Sequence, residues 1–134
     1  WIHRDPVKAI SSYSNMMYEV QKFFVNSYSK KDVGKQIADR FYHMVDTGMR
    51  IRDKRSIPVI DVNYLDVKRD PEKSVHTIGD RCRLKIENES GVNKQMNKLK
   101  NRQPYTPEEF GIDKERIYNR FGDYMERFNI EKED

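Results

Sequence analysis

The sequence predicts an α/β layered fold with a parallel sheet, rich in helix, and three observations carry that prediction. Residues 1–3 and 57–62 are short apolar or β-branched runs of the kind that form buried strands. Asp5-Pro6 and Asp70-Pro71 follow them, each offering a helix N-cap and a proline for the first helical position. Around these punctuation marks, apolar residues recur every three or four positions. The resulting order of strand, helix, helix, strand, helix argues for parallel strands covered by helices.

Each element has its own reason. After Asp5, the residues Ile10, Tyr13, Met17, Val20 and Phe24 lie on one helical face and predict a core-facing helix running to about Ser29. Asp32 is the expected cap of a second helix, with Val33, Ile37, Phe41, Met44 and Val45 as its stripe, ending near Gly48 before a basic loop at 50–55. In the run 57–62, Pro58 sits near the start, where a missing ladder donor is tolerated. The helix opened by Asp70 should bury Val75, Ile78 and Cys82. Residues 85–102 are polar and rich in Asn and Lys, and read as a surface helix between loops. Thr106-Pro107-Glu108-Glu109 combines a cap, a proline and acidic first-turn residues. Asp113 then opens a last helix with Ile117, Phe121, Tyr124, Met125 and Phe128 on one side.

Length and composition narrow the function classes. With 134 residues the chain has room for one domain and no internal boundary, so residues 1–134 are expected to form one partial domain. The chain begins on Trp1 without an initiator methionine and offers too few strands for its helices, which makes it the expected C-terminal portion of a longer protein. No run approaches the roughly 18 apolar residues of a membrane span. The 26 basic and 22 acidic residues are interspersed, so a net charge of +4 describes a mixed solvated surface. The densest basic stretch, Lys94 to Arg102, is the place where a polyanion such as RNA or a sulfated polysaccharide would bind if the chain were a non-catalytic interaction domain. The single cysteine, Cys82, excludes a disulfide framework and fits a reducing, cytoplasmic setting, and localisation is otherwise open. His43 and His76 have no second ligand at i+4, so no metal site is expected.

The junction from the first strand to the first helix is the place to look for chemistry. A helix N-terminus presents unpaired N–H groups and partial positive charge, a ready anion site. Arg4 stands just before it with a planar fork suited to phosphate, and Ser12 follows about two turns later with a hydroxyl. The alternatives are an Arg4 paired with Asp5 or another carboxylate, and a Ser12 that fills a tight helix contact. His3 alternates with Arg4 along the strand and is read as structural.

The run His3-Arg4-Asp5-Pro6-Val7-Lys8-Ala9-Ile10-Ser11-Ser12 resembles the 3′-phosphate-binding segment of sulfotransferases that use 3′-phosphoadenosine 5′-phosphosulfate (PAPS), where Arg ends a strand and Ser follows eight positions later. Residues 59–71, with Tyr64-Leu65-Asp66 and Asp70-Pro71, are similar to the family's second strand, Tyr-x-Asp element and next helix start. Tyr105 to Asp113 is similar to a C-terminal element of one broad branch. The resemblance implies a P-loop-like three-layer α/β/α fold and transfer of a sulfuryl group from PAPS to an acceptor hydroxyl or amine. It implies that Arg4 and Ser12 hold the 3′-phosphate, that Tyr64 stacks on or borders the adenine, and that Lys100 and Arg102 approach the donor's phosphates. The Gly/Ser/Thr-rich loop that cradles the 5′-phosphosulfate is missing from the sequence, and with it the usual stretch for the general base. No catalytic residue is therefore assigned, and the chain by itself is expected to be inactive.

Overall fold

The computed structural model describes residues 1–25, 29–84 and 105–133. The chain divides into two compact units, Trp1–Arg4 with Pro58–Pro104, and Asp5–Ile57 with Tyr105–Asp134.

In the first unit, β1 (Ile2–His3) pairs in parallel with β2 (Val62–Asn63), Ile2 opposite Val62 and His3 opposite Asn63. The parallel pairing is the one expected, but the ladder is shorter than the apolar run 57–62, and Ile57 is half exposed. Directly after β2 the chain turns into a short helix, α3 (Tyr64–Arg69), because the Asn63 side chain accepts the N–H of Leu65 at 3.0 Å and caps it. Asp70 then ends α3 and caps α4 (Pro71–Cys82), accepting the Lys73 N–H at 2.9 Å. The buried residues of α4 are Ser74 and Gly79. Val75 and Ile78 are half-buried, and Cys82, expected inside, is exposed on the last turn.

The second unit holds α1 (Pro6–Gln21), α2 (Lys30–Lys54), a 3₁₀ turn (Pro107–Phe110), α5 (Lys114–Arg120) and α6 (Gly122–Arg127). Its core is built from Val7, Ile10, Val33, Ile37, Phe110, Ile112, Ile117, Phe121 and Tyr124. Helix α1 buries Val7, Ile10, Ser11 and Ser14, a face rotated from the expected stripe, of which only Ile10 is fully buried. Tyr13 and Val20 are partly exposed, and Phe24 is 81% exposed. The helix also stops well before Ser29. Phe23 and Phe24 are weak helix formers followed by β-branched Val25, and their N–H groups bond three residues back, to Val20 and Gln21, closing the last turn.

Helix α2 differs from expectation at both ends. Ser29, not Asp32, is its cap, and Asp32 sits in the first turn, where its charge favours the helix dipole. The helix passes through Gly48 and through the supposed basic loop to Lys54. A glycine costs a helix about 1 kcal/mol relative to alanine. Ion pairs line this exposed end: Arg50 with Asp46 at 3.0 Å, and Asp53 with two guanidinium nitrogens of Arg127 at 2.6 and 3.1 Å. Met44, placed in the core stripe by periodicity, is 65% exposed. The last helix is broken at Phe121 into α5 and α6, although Ile117, Phe121 and Tyr124 are buried as expected, and Asp113 caps α5 through the Arg116 N–H at 3.1 Å.

The start of α1 is fastened by Asp5, which is 1% exposed. Its Oδ1 accepts the N–H groups of Val7 at 2.7 Å and Lys8 at 3.3 Å, and its Oδ2 accepts the Tyr118 hydroxyl at 3.0 Å and the Glu133 N–H at 2.7 Å. Burial, with the negative charge of Asp5 adding to it, pushes the Tyr118 hydroxyl well above the ordinary tyrosine range. A raised folded-state pKa gives stability that is complete below the unfolded value near 10 and is lost as pH rises beyond it. Alkaline titration of stability should therefore show a decline above about pH 10 that is shallower in Tyr118→Phe. Equal slopes in the two proteins would exclude Tyr118 as the titrating group.

Candidate functional site

The parallel register decides which side chains meet beyond the ladder. With Ile2 opposite Val62 and His3 opposite Asn63, the next pair along is Arg4 and Tyr64. The Arg4 guanidinium carbon lies 4.1 Å from the centre of the Tyr64 ring, a cation–π contact between two half-buried residues. His3, one residue earlier, is 2% exposed and places Nε2 at 2.8 Å from Asp61 Oδ1. Trp1 packs beside it with ring centres 5.1 Å apart.

Ser12 belongs to the second unit, half-buried on α1 beside Ser11, whose hydroxyl donates to the Val7 carbonyl at 2.6 Å. The N-terminus of α1 is not the open anion site that its position suggests. Asp5 already occupies the N–H groups of Val7 and Lys8, and an anionic ligand there would face a buried carboxylate. Any phosphate recognition in this segment falls to side chains. Lys100, Arg102 and the whole basic stretch Lys94 to Arg102 lie outside the described residues.

A cleft of about 490 Å³ runs along β2, α3 and α4, with Asn63, Asp70, Lys73 and Arg81 among its walls. Neither Arg4 nor Tyr64 lines it. Among the described residues no group of three His, Cys, Asp or Glu side chains is arranged to hold a metal ion, and no helix is long and apolar enough to cross a membrane.

The sequence profile of the sulfotransferase family matches residues 1–88, about two-thirds of the chain. The chain belongs to the sulfotransferase family. Among solved structures it is similar to the sulfotransferase STF9 from Mycobacterium avium, with a TM-score of 0.77 and 22% identity over 97% of this chain and 36% of that one. At that identity the likeness is one of fold, and it agrees with the α/β class and the parallel pairing of β1 with β2. The chain spans about a third of the length of STF9. No curated protein matches it. The sulfotransferase profile takes in both strands, their caps, and Arg4, Ser12 and Tyr64.

Two features of this sulfotransferase chain escaped sequence reasoning. One is the Arg4–Tyr64 contact, across 60 positions, between two residues that the motif resemblance takes separately. The other is the Asp5 network, where the sequence signals a cap but not the hydroxyl and N–H that arrive from Tyr118 and Glu133.

Proposed function

We propose that the chain is the C-terminal portion of a PAPS-dependent sulfotransferase and carries the 3′-phosphate and adenine side of the donor site. The observation that carries this reading is the family match over residues 1–88, a stretch containing Arg4, Ser12 and Tyr64 at the spacing of the donor-binding motifs. In the reaction the S–O bond to the donor's 5′-phosphate breaks and a new bond forms to an acceptor oxygen or nitrogen, releasing adenosine 3′,5′-bisphosphate. Arg4 supplies a charge-assisted fork to the 3′-phosphate and Ser12 a hydroxyl. Tyr64 meets the adenine, while Lys100 and Arg102 approach the donor's phosphates. The 3′-phosphate is far from the bond that breaks, so these residues supply orientation and binding free energy rather than chemistry. No residue of this chain is assigned to the phosphosulfate loop or to the base that takes the acceptor's proton.

The test is calorimetric binding of adenosine 3′,5′-bisphosphate and of 5′-AMP to the full-length protein and its Arg4→Ala variant. The bisphosphate should bind more tightly than 5′-AMP, and Arg4→Ala should weaken the bisphosphate about 30-fold while leaving 5′-AMP nearly unchanged, as expected for loss of a charge-assisted contact worth about 2 kcal/mol. Equal affinity of the unaltered protein for the two nucleotides would overturn the reading.

A further inference from the structure

The register that places Arg4 beside Tyr64 gives the tyrosine a second task. Arginine carries a long, flexible stem, and holding its fork towards a ligand costs rotamer freedom on binding. A guanidinium resting 4.1 Å from an aromatic centre has lost much of that freedom in advance. The two residues are fixed by backbone as well as by contact. Arg4 leaves β1 immediately after its last ladder pair, and Tyr64 opens α3, which is capped by the Asn63 side chain on the residue before it. Neither can drift along the sheet without breaking the pairing of His3 with Asn63.

We propose that Tyr64 is a positioning residue for Arg4 and thereby a determinant of specificity for 3′-phosphorylated nucleotides. This inference rests on the reading of Arg4 as the 3′-phosphate ligand. One face of the Tyr64 ring is taken by the guanidinium, so an adenine meets the tyrosine at its edge, its hydroxyl or its opposite face. The base and the 3′-phosphate are then sensed by two side chains in mutual contact, and a change at either alters the recognition of both parts of the nucleotide. A tyrosine acting on adenine alone would strengthen 5′-AMP and the bisphosphate equally. A tyrosine that orients Arg4 strengthens the bisphosphate selectively.

The quantity to measure in the full-length protein is the ratio of dissociation constants for 5′-AMP and adenosine 3′,5′-bisphosphate. Tyr64→Leu should shrink that ratio about tenfold, the order expected for a partly desolvated cation–π contact, and Tyr64→Phe, which keeps the ring, should preserve it. In the Arg4→Ala background Tyr64→Leu should leave the ratio unchanged, since the group it orients is gone. Should Tyr64→Leu fail to fold, Tyr64→Met provides an unbranched non-aromatic side chain for the same comparison. If Tyr64→Leu weakens both nucleotides equally and keeps the ratio, the positioning role is overturned while the donor-site reading stands. If the unaltered protein shows no preference for the 3′-phosphate, the donor-site reading fails and the positioning role falls with it.

Discussion

Replacing Asp5 with alanine should lower the unfolding free energy by about 4 kcal/mol, read as a shift of the denaturant midpoint at constant slope. The carboxylate is 1% exposed and accepts four hydrogen bonds, so its removal leaves the buried Val7 N–H and three partly buried donors without their acceptor. Loss of an N-cap alone costs about 1 kcal/mol, and each further hydrogen bond to a charged group adds about 1.5–3 kcal/mol in isolation, with the sum reduced because the bonds share one acceptor. Asp5→Asn separates the two sides of the group. Its amide oxygen keeps the Val7 and Lys8 N–H groups, but its nitrogen, a donor, now faces the N–H of Glu133. About 2 kcal/mol should be lost there. Tyr118→Phe, which removes one donor and leaves the other three, should cost about 1.5 kcal/mol. An Asp5→Ala protein within 1 kcal/mol of the parent would show that the network contributes little beyond the cap.

The Asp5 site also marks where the sequence is legible and where it stops. Short-range devices are readable: Asp5, Asp70 and Asp113 all cap helices as placed, and Thr106, the expected cap, donates its N–H to the Glu109 carboxylate at 3.0 Å. Their geometry is settled within four residues of chain. Which face of a helix is buried depends instead on what packs against it. Where α1 packs on α2 and α5, Val7, Ile10, Ser11 and Ser14 are buried, while Tyr13 and Val20 of the more apolar stripe stay partly exposed and Phe24 falls beyond the helix end. Two serines thus stand in a core where periodicity alone would never seat them. At the candidate site the same division holds. The motifs around Arg4, Ser12 and Tyr64 can be read from residue type and spacing, whereas the contact of Arg4 with Tyr64 follows from a sheet register that joins residues 60 apart. The helix N-terminus, judged by local rules, looked open to an anion, and only residues 113 and 128 positions away reveal how completely Asp5 is engaged.

Gly34 carries the second large effect, and its sign opposes helix propensity. Within a helix, alanine is favoured over glycine by about 1 kcal/mol, so Gly34→Ala would stabilise α2 if the position were open. A Cβ built there would lie 2.0 Å from the Phe110 carbonyl oxygen and 2.9 Å from both the Phe110 carbonyl carbon and Cβ. The nearest atom is backbone, held in a 3₁₀ turn that ends at Gly111 with φ +62° and is closed by the Gly111 and Ile112 N–H groups on Glu108 and Pro107. No rotamer change relieves the overlap, and no substitution at position 110 removes it. The turn must move off α2, drawing Phe110, which is fully buried, out of the core. Overpacking of this kind costs about 3 kcal/mol, enough to overcome the gain in propensity. Gly122 is the internal control, since a Cβ there meets nothing within 4 Å. Gly122→Ala should therefore stabilise by about 0.5 kcal/mol, mainly by restricting the unfolded chain. Opposite shifts in denaturant midpoint for one chemical change establish that α2 and the turn meet backbone to backbone, and a stabilised Gly34→Ala protein would refute that contact.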